Sequence, residues 1–213
     1  MFPHEMGEAA TESEKHETWQ AEDVKNWRKI PAREAGYVQD IDTDGLLEFA
    51  AENQILIKMR RGVGQFAGTG ATLAEIAPDT ETRNRETEIE CEKSEKVSEF
   101  FSLDRHRTIE KDVGFGIRQI VDIALKALSP GVNDTTTAIG CIDNLGEIVA
   151  EIARRQMPAT VRSKDGVPRV ITVAPDFQEY VETAFDQIRI SGKANFAIFE
   201  RLLRRLGLSP NVR

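Results

Sequence analysis

The chain has 213 residues, of which 40% are hydrophobic and 30% charged, with a formal net charge of −8. That length supports one sizeable core or two small ones, and the acidity excludes a general nucleic-acid binder, which needs a basic surface to displace counterions. No apolar run reaches the roughly 20 residues needed to span a bilayer, and the acidic start MFPHEMGEAATESEKHE has no signal-peptide core, so a soluble, cytoplasmic chain is expected.

Residues 1–30 read as a flexible acidic tail rich in Glu, Lys and Ser, with Trp19–Ile30 able to dock as a short amphipathic helix. A β-rich lobe is expected over 31–78. Gly36–Ile41 alternates partially, Asp42 caps a short helix, and Ile55–Met59 is the clearest strand. Gly62, Gly64, Gly68 and Gly70 punctuate turns between short β segments that end near Ile76. Residues 79–104 form a polar connecting segment, with a solvated helix over Glu88–Phe101 as one reading.

A helical lobe follows over 105–213. Its first helix carries Val113, Ile117, Ile120, Val121, Ala124 and Leu128 at helical spacing. Pro130 and Gly131 end it, and Asn133 or Asp134 caps a second helix with Ala138, Ile142, Leu145, Val149 and Ile152 on one stripe. Gly140 and Gly146 cost helix propensity and suggest close helix packing. A β-hairpin is expected near 160–173 with Lys164-Asp165-Gly166 as its turn. Asp176 caps another helix, Ser191-Gly192 breaks it, and a last helix points Phe196, Phe199, Leu202, Leu203 and Leu206 inward.

The glycine cluster GVGQFAGTG lacks the Gly-Lys-Ser/Thr ending of a phosphate loop and precedes β segments rather than a helix, so tight turns are its simpler meaning. Lys58 lies mid-strand, where a carrier-type modified lysine does not belong. Cys91 and Cys141 have no zinc spacing, and Cys141 reads as a buried small hydrophobe. Arg105 and Arg107 offer guanidinium forks for carboxylate or phosphate, and the helix start at Asn133, Asp134 and Thr135 offers amide and hydroxyl donors. With Arg118 these residues make a candidate ligand set. The competing reading is structural: Arg107 locks Asp134 or the loop carbonyls. Arg118, Asp122 and Lys126 read as a solvated ladder, against a weaker reading of Asp112, Asp122 and Asp134 around a hard cation such as Mg²⁺. No catalytic motif is legible, and Ser129 has no evident base.

The run FGIRQIVDIALKALSPGVNDTTTAIGCIDNL, with Arg107-Thr108, Asp112 and the upstream Gly36-Tyr37-Val38-Gln39-Asp40-Ile41-Asp42, resembles a bacterial family described as predicted membrane protein, domain of unknown function 2254. The resemblance covers about Ala35 to Leu206. Members of that family carry several transmembrane helices before this region, so the resemblance implies a soluble domain tied to a membrane module, as a piece of such a protein or a free-standing relative. Thr135 stands where the family has Pro, which should soften the turn.

The expectation is therefore an α+β protein, a small β-rich lobe followed by a mostly helical lobe built on the hairpin. A regulatory or assembly role in a membrane-protein family comes first. The alternatives are an anion- or nucleotide-sensing module at Arg107 and Asn133–Thr137, or a metal-assisted hydrolase. No cofactor is implied. The partners expected are a second copy of the chain or a membrane module of the same family, and not nucleic acid.

Overall fold

The computed structural model describes residues 27–78, 91–205 and 207. The acidic tail before Trp27 and the connecting segment over 79–90 lie outside the described residues. The fold is α+β, divided into a unit of residues 27–112 with 158–174 and a unit of residues 113–157 with 175–207.

The first unit contains β1 (Arg28–Pro31), β2 (Gly36–Ile41), α1 (Thr43–Glu52), β3 (Ile55–Met59), β4 (Phe66–Ala67), β5 (Thr72–Pro78), α2 (Cys91–Glu99), β6 (Phe101–Asp104), β7 (Val161–Lys164) and β8 (Val167–Ile171). Five strands make a sheet in the order β1-β5-β3-β8-β7, and three make a second in the order β4-β2-β6. Among the described strands only the β3–β8 pair is parallel. The near-continuous apolar runs of β3 and β5 follow from burial on both faces of the sheet. On one face Ile30, Ile55, Ile57, Ile76 and Val170 pack with Leu46 and Ala50 of α1 and Val97 of α2. Asp42 caps α1 by accepting from Gly45 N at 2.8 Å.

The hairpin expected near 160–173 forms, with Asp165 and Gly166 at φ 53° and 76° as a tight turn requires. It belongs to this unit and not to the helical one, because β8 adds beside β3 in the sheet. Arg162 reaches Asp44 at 2.5 Å, and Lys164 pairs with Glu48, so the hairpin also clamps α1. The boundary between units falls after Asp112, later than the end of the connecting segment at 104, because β6 pairs with β2. The strand β1, which occupies part of the expected tail, and β6 were not legible as strands, since each is only four residues long.

The second unit packs α3 (Val113–Ala127), α4 (Thr135–Ala153), α5 (Phe177–Ser191) and α6 (Phe196–Arg205) around one core. Ile117 and Val121 of α3, Ile142 and Leu145 of α4, and Ile188 of α5 are at its centre. Asp176 and Glu179 form a capping box at the start of α5. Cys141 is a free, buried thiol whose pKa is pushed up by burial.

In the last helix Leu202 faces inward as expected, the two phenylalanines do not, and Leu206 lies outside the described residues. Ile198 and Leu202 are buried, while Phe196 and Phe199 are 79% and 49% exposed. The cause lies on α4: Asp143 accepts from Arg201 (2.9 Å) and Arg205 (2.8 Å), and Glu147 from Arg205 (2.7 Å). These pairs hold the Arg201 and Arg205 edge of α6 against α4, beside the buried Ile198 and Leu202. Gly146 leaves room for Arg205, whose Cδ would stand 2.9 Å from an added Cβ, whereas Gly140 faces open space and serves no close packing.

This phase makes a direct prediction. Ile142→Ala, which empties part of a fully buried site, should lower stability by about 2–5 kcal/mol in urea unfolding. Phe196→Ser should change it by no more than about 0.5 kcal/mol. A large loss for Phe196→Ser would mean that α6 buries its phenylalanines.

Candidate functional site

In the first unit, the polar residues of the signature meet on β2, the central strand of the three-stranded sheet. The loop 105–112, which follows β6, is pinned there by side chains alternating along β2. Gln39 donates to the His106 carbonyl and accepts from Thr108 Oγ1 at 2.9 Å. Asp40 pairs with Lys111 at 2.6 Å. Tyr37 lies under the Arg107 guanidinium, 5.9 Å from ring centroid to Cζ, and meets Phe66 edge-on at 5.2 Å.

Arg107 donates from Nε (2.9 Å) and Nη2 (2.6 Å) to Asp112 Oδ2. The Asp112 side chain is only 10% exposed, so its charge needs this partner. The pair closes over Gly64, which has φ +81°. A Cβ there would collide with Asp112 Oδ2 and stand 2.7 Å from Arg107 Nη2. The glycine-rich turn is thus a seat for an ion pair and not a phosphate cradle. Its own backbone is held to β2 through Gly64 N to the Val38 carbonyl at 2.8 Å and Val38 N to the Gln65 carbonyl at 3.0 Å.

The second unit holds the other signature residues. The α3–α4 turn closes on its own backbone: Asn133 N reaches the Ser129 carbonyl at 2.9 Å, and Asp134 N the Ala127 carbonyl at 2.8 Å. Asn133 takes the left-handed conformation, φ 49°, which asparagine tolerates better than most residues. Ser129 donates its hydroxyl to the Lys126 carbonyl at 2.7 Å, a capping role and not a nucleophile's. Asp134 caps α4, accepting from Thr137 N (3.0 Å) and Thr137 Oγ1 (2.6 Å). Thr135 accepts from Asn195 Nδ2 at 2.8 Å, tying the start of α4 to the residue before α6. A proline at that position would lack this hydroxyl.

Of the six residues expected to hold a ligand, Arg105 and Arg107 lie in the first unit, and Arg118, Asn133, Asp134 and Thr135 in the second. Arg118 pairs with Asp122 at 3.0 Å along an exposed helix face. Among the described residues no group of three or more His, Cys, Asp or Glu side chains stands where it would hold a metal ion. Asp112 holds Arg107, Asp122 holds Arg118, and Asp134 caps α4. Tyr37, Gln39, Asp40, Gly64 and Lys111 complete the node, and sequence reasoning did not assign them to it. The available signal was that Gly36–Asp42 recurs in the family resemblance alongside Arg107-Thr108 and Asp112.

The Thr137 hydroxyl, followed by its amide, holds the Asp134 carboxyl below the ordinary carboxylate range. A depressed folded pKa contributes stability that is present above the unfolded value and lost as pH falls through the folded one. In an NMR titration Asp134 should therefore protonate below an ordinary aspartate, and Thr137→Val should move it upward. An unchanged titration in Thr137→Val would contradict the cap as drawn.

The comparisons with known proteins agree with the signature. The family described as predicted membrane protein, domain of unknown function 2254, matches residues 3–207. An uncharacterized protein of Mycobacterium tuberculosis (strain CDC 1551 / Oshkosh) is 31% identical over 184 residues, covering 82% of this chain and 33% of the relative. One from Mycobacterium bovis (strain ATCC BAA-935 / AF2122/97) is 30% identical over 184 residues, with the same coverage. The chain spans about a third of the length of these relatives. No solved structure matches. Among the described residues, no helix is long and apolar enough to cross a membrane. The match over residues 3–207 and these relatives place the chain in the family of predicted membrane proteins called domain of unknown function 2254.

Proposed function

We propose that this chain is a regulatory or assembly part of its membrane-protein family and not a catalyst. One observation carries the reading: the signature's charged groups are engaged with one another. Arg107 is spent on Asp112, Lys111 on Asp40 and Arg118 on Asp122, and Asp134 on its own helix start. A catalytic site keeps charged groups poised toward a substrate, whereas this arrangement holds a loop and a turn in fixed shapes. The node ends at Asp112, the residue directly before α3. A partner that loosened Arg107 from Asp112 would thereby loosen the chain entering the helical unit.

A second reading, anion sensing, has its own observation. Arg105 is exposed and two residues from Arg107, whose guanidinium lies over Tyr37. A phosphate-bearing anion recruited by Arg105 would compete with Asp112 for the Arg107 fork.

Thermal melting separates the two. For the regulatory reading, Arg107→Ala lowers the melting temperature without any ligand, and inorganic phosphate or ATP leaves the wild-type melt unchanged. For anion sensing, phosphate or ATP raises the wild-type melt, about 2.7 kcal/mol of stabilisation at a hundredfold excess over Kd, and Arg105→Ala removes the rise. An Arg107→Ala variant that melts like the wild type would contradict the regulatory reading.

A further inference from the structure

The phase of α6 leaves an apolar edge on the outside of the helical unit. Ile198 and Leu202 face the core, while Phe196 and Phe199 are 79% and 49% exposed. Leu203 continues their line, since positions i, i+3 and i+7 share a helix face, and it is half-buried. The last turn of α5 adds Ile190, also exposed, on the other side of the turn over 192–195. That turn is tight, because a Cβ on Gly192 would collide with Ile198 Cγ2. The α5–α6 corner thus carries three large apolar side chains into solvent.

The corner is also cationic, in a chain of net charge −8. Residues 189–205 hold Arg189, Lys193, Arg201, Arg204 and Arg205 against one carboxylate, Glu200. Arg189 pairs with Asp186, Arg204 with Glu200, Arg201 and Arg205 with Asp143, and Arg205 also with Glu147. Five basic groups therefore stand against four acidic ones once these partners are counted. The excess is Lys193, which is exposed and has no ion-pair partner among the described residues.

We propose that this corner is a lipid-contacting surface, where Ile190, Phe196 and Phe199 enter the headgroup–acyl boundary of a bilayer and Lys193 meets anionic headgroups. Phenylalanine on one side and basic residues beside it is the composition of a helix that lies in that boundary. A lysine stem spans from apolar neighbours to the headgroup level. Charge selects a bilayer over a second copy of the chain. A two-fold interface lays a patch onto itself, so Lys193 would meet a cationic corner whose carboxylates, Asp186 and Glu200, are already paired within their own chain. Anionic headgroups supply the missing counter-charge. The net negative charge of the chain repels the rest of its surface from such a membrane, which confines the contact to this corner. The proposal adds a lipid partner to the regulatory or assembly reading without resting on it: vesicle binding can fail while Arg107→Ala still lowers the melting temperature.

The test is co-sedimentation of the full chain with vesicles of phosphatidylcholine alone, and of phosphatidylcholine with an equal part of phosphatidylglycerol. The anionic vesicles should bind the chain more tightly. Phe196→Ser with Phe199→Ser should weaken that binding by about tenfold or more, with little change in melting temperature. Lys193→Glu should weaken binding to the anionic vesicles and spare binding to the neutral ones. Ile123→Ser, at an exposed position on α3, should have no effect. Absence of binding, wild-type binding by the double variant, or an equal loss in Ile123→Ser would overturn the proposal. So would a lipid-free dimer of the wild-type chain that the double variant abolishes, which would give the corner to a second copy. Should the double variant melt early, Lys193→Glu decides.

Discussion

The first unit depends on the Arg107–Asp112 ion pair. The loop from 105 to 112 has no regular secondary structure of its own, and a segment of this kind is ordinarily variable in shape. Here it is fixed by a carboxylate that has left water and is compensated by two donors of one guanidinium. Charge-assisted bonds of this type are among the stronger ones available to a protein, and removing either partner takes this two-donor bond from the other. The pair exists in this geometry because residue 64 has no side chain and takes a positive φ. An arginine and an aspartate five residues apart, and a glycine distant in sequence, thus specify each other. Tyr37 and Gln39 on β2 set where they meet.

The helical unit obeys a different constraint. Its turn between α3 and α4 is closed by backbone bonds, a left-handed asparagine and an aspartate cap, so it has no need of a charge from elsewhere in the chain. The Thr135–Asn195 bond then links the start of α4 to the start of α6, and the arginines of α6 return the connection to α4 through Asp143 and Glu147. Two self-contained polar networks, one in each unit, account for most of the uncommon polar residues in the signature. Their common property is internal satisfaction, which suits a part that holds or transmits shape better than one that attacks a substrate.

What could be read in the sequence was local. Asp42, Asp134 and Asp176 were legible as caps because capping is a short-range bond between a side chain and the amide two or three residues on. The 164–166 turn was legible because a positive φ at consecutive positions favours Asp-Gly. What escaped was non-local. β8 joins β3 across more than a hundred residues, and nothing within Val167–Ile171 announces that neighbour. The phase of α6 was misjudged because two phenylalanines outweigh an isoleucine in any hydrophobic pattern, while the decisive ion pairs to Asp143 depend on where α4 runs. The node itself fell between these cases. The sequence marks Arg107 as a fork for a carboxylate and offers Asp134 as its partner, whereas the choice of Asp112 depends on β2 and the Gly64 turn.

The most direct measurement of this account is a double-mutant cycle in urea unfolding with Arg107→Ala, Asp112→Ala and the double variant. If the pair organises the β unit, the two positions should couple by about 1–3 kcal/mol, with each single variant costing nearly as much as the double. Additive losses, within about 0.5 kcal/mol, would show that Arg107 and Asp112 act independently and would contradict the ion pair as the interaction on which the unit depends.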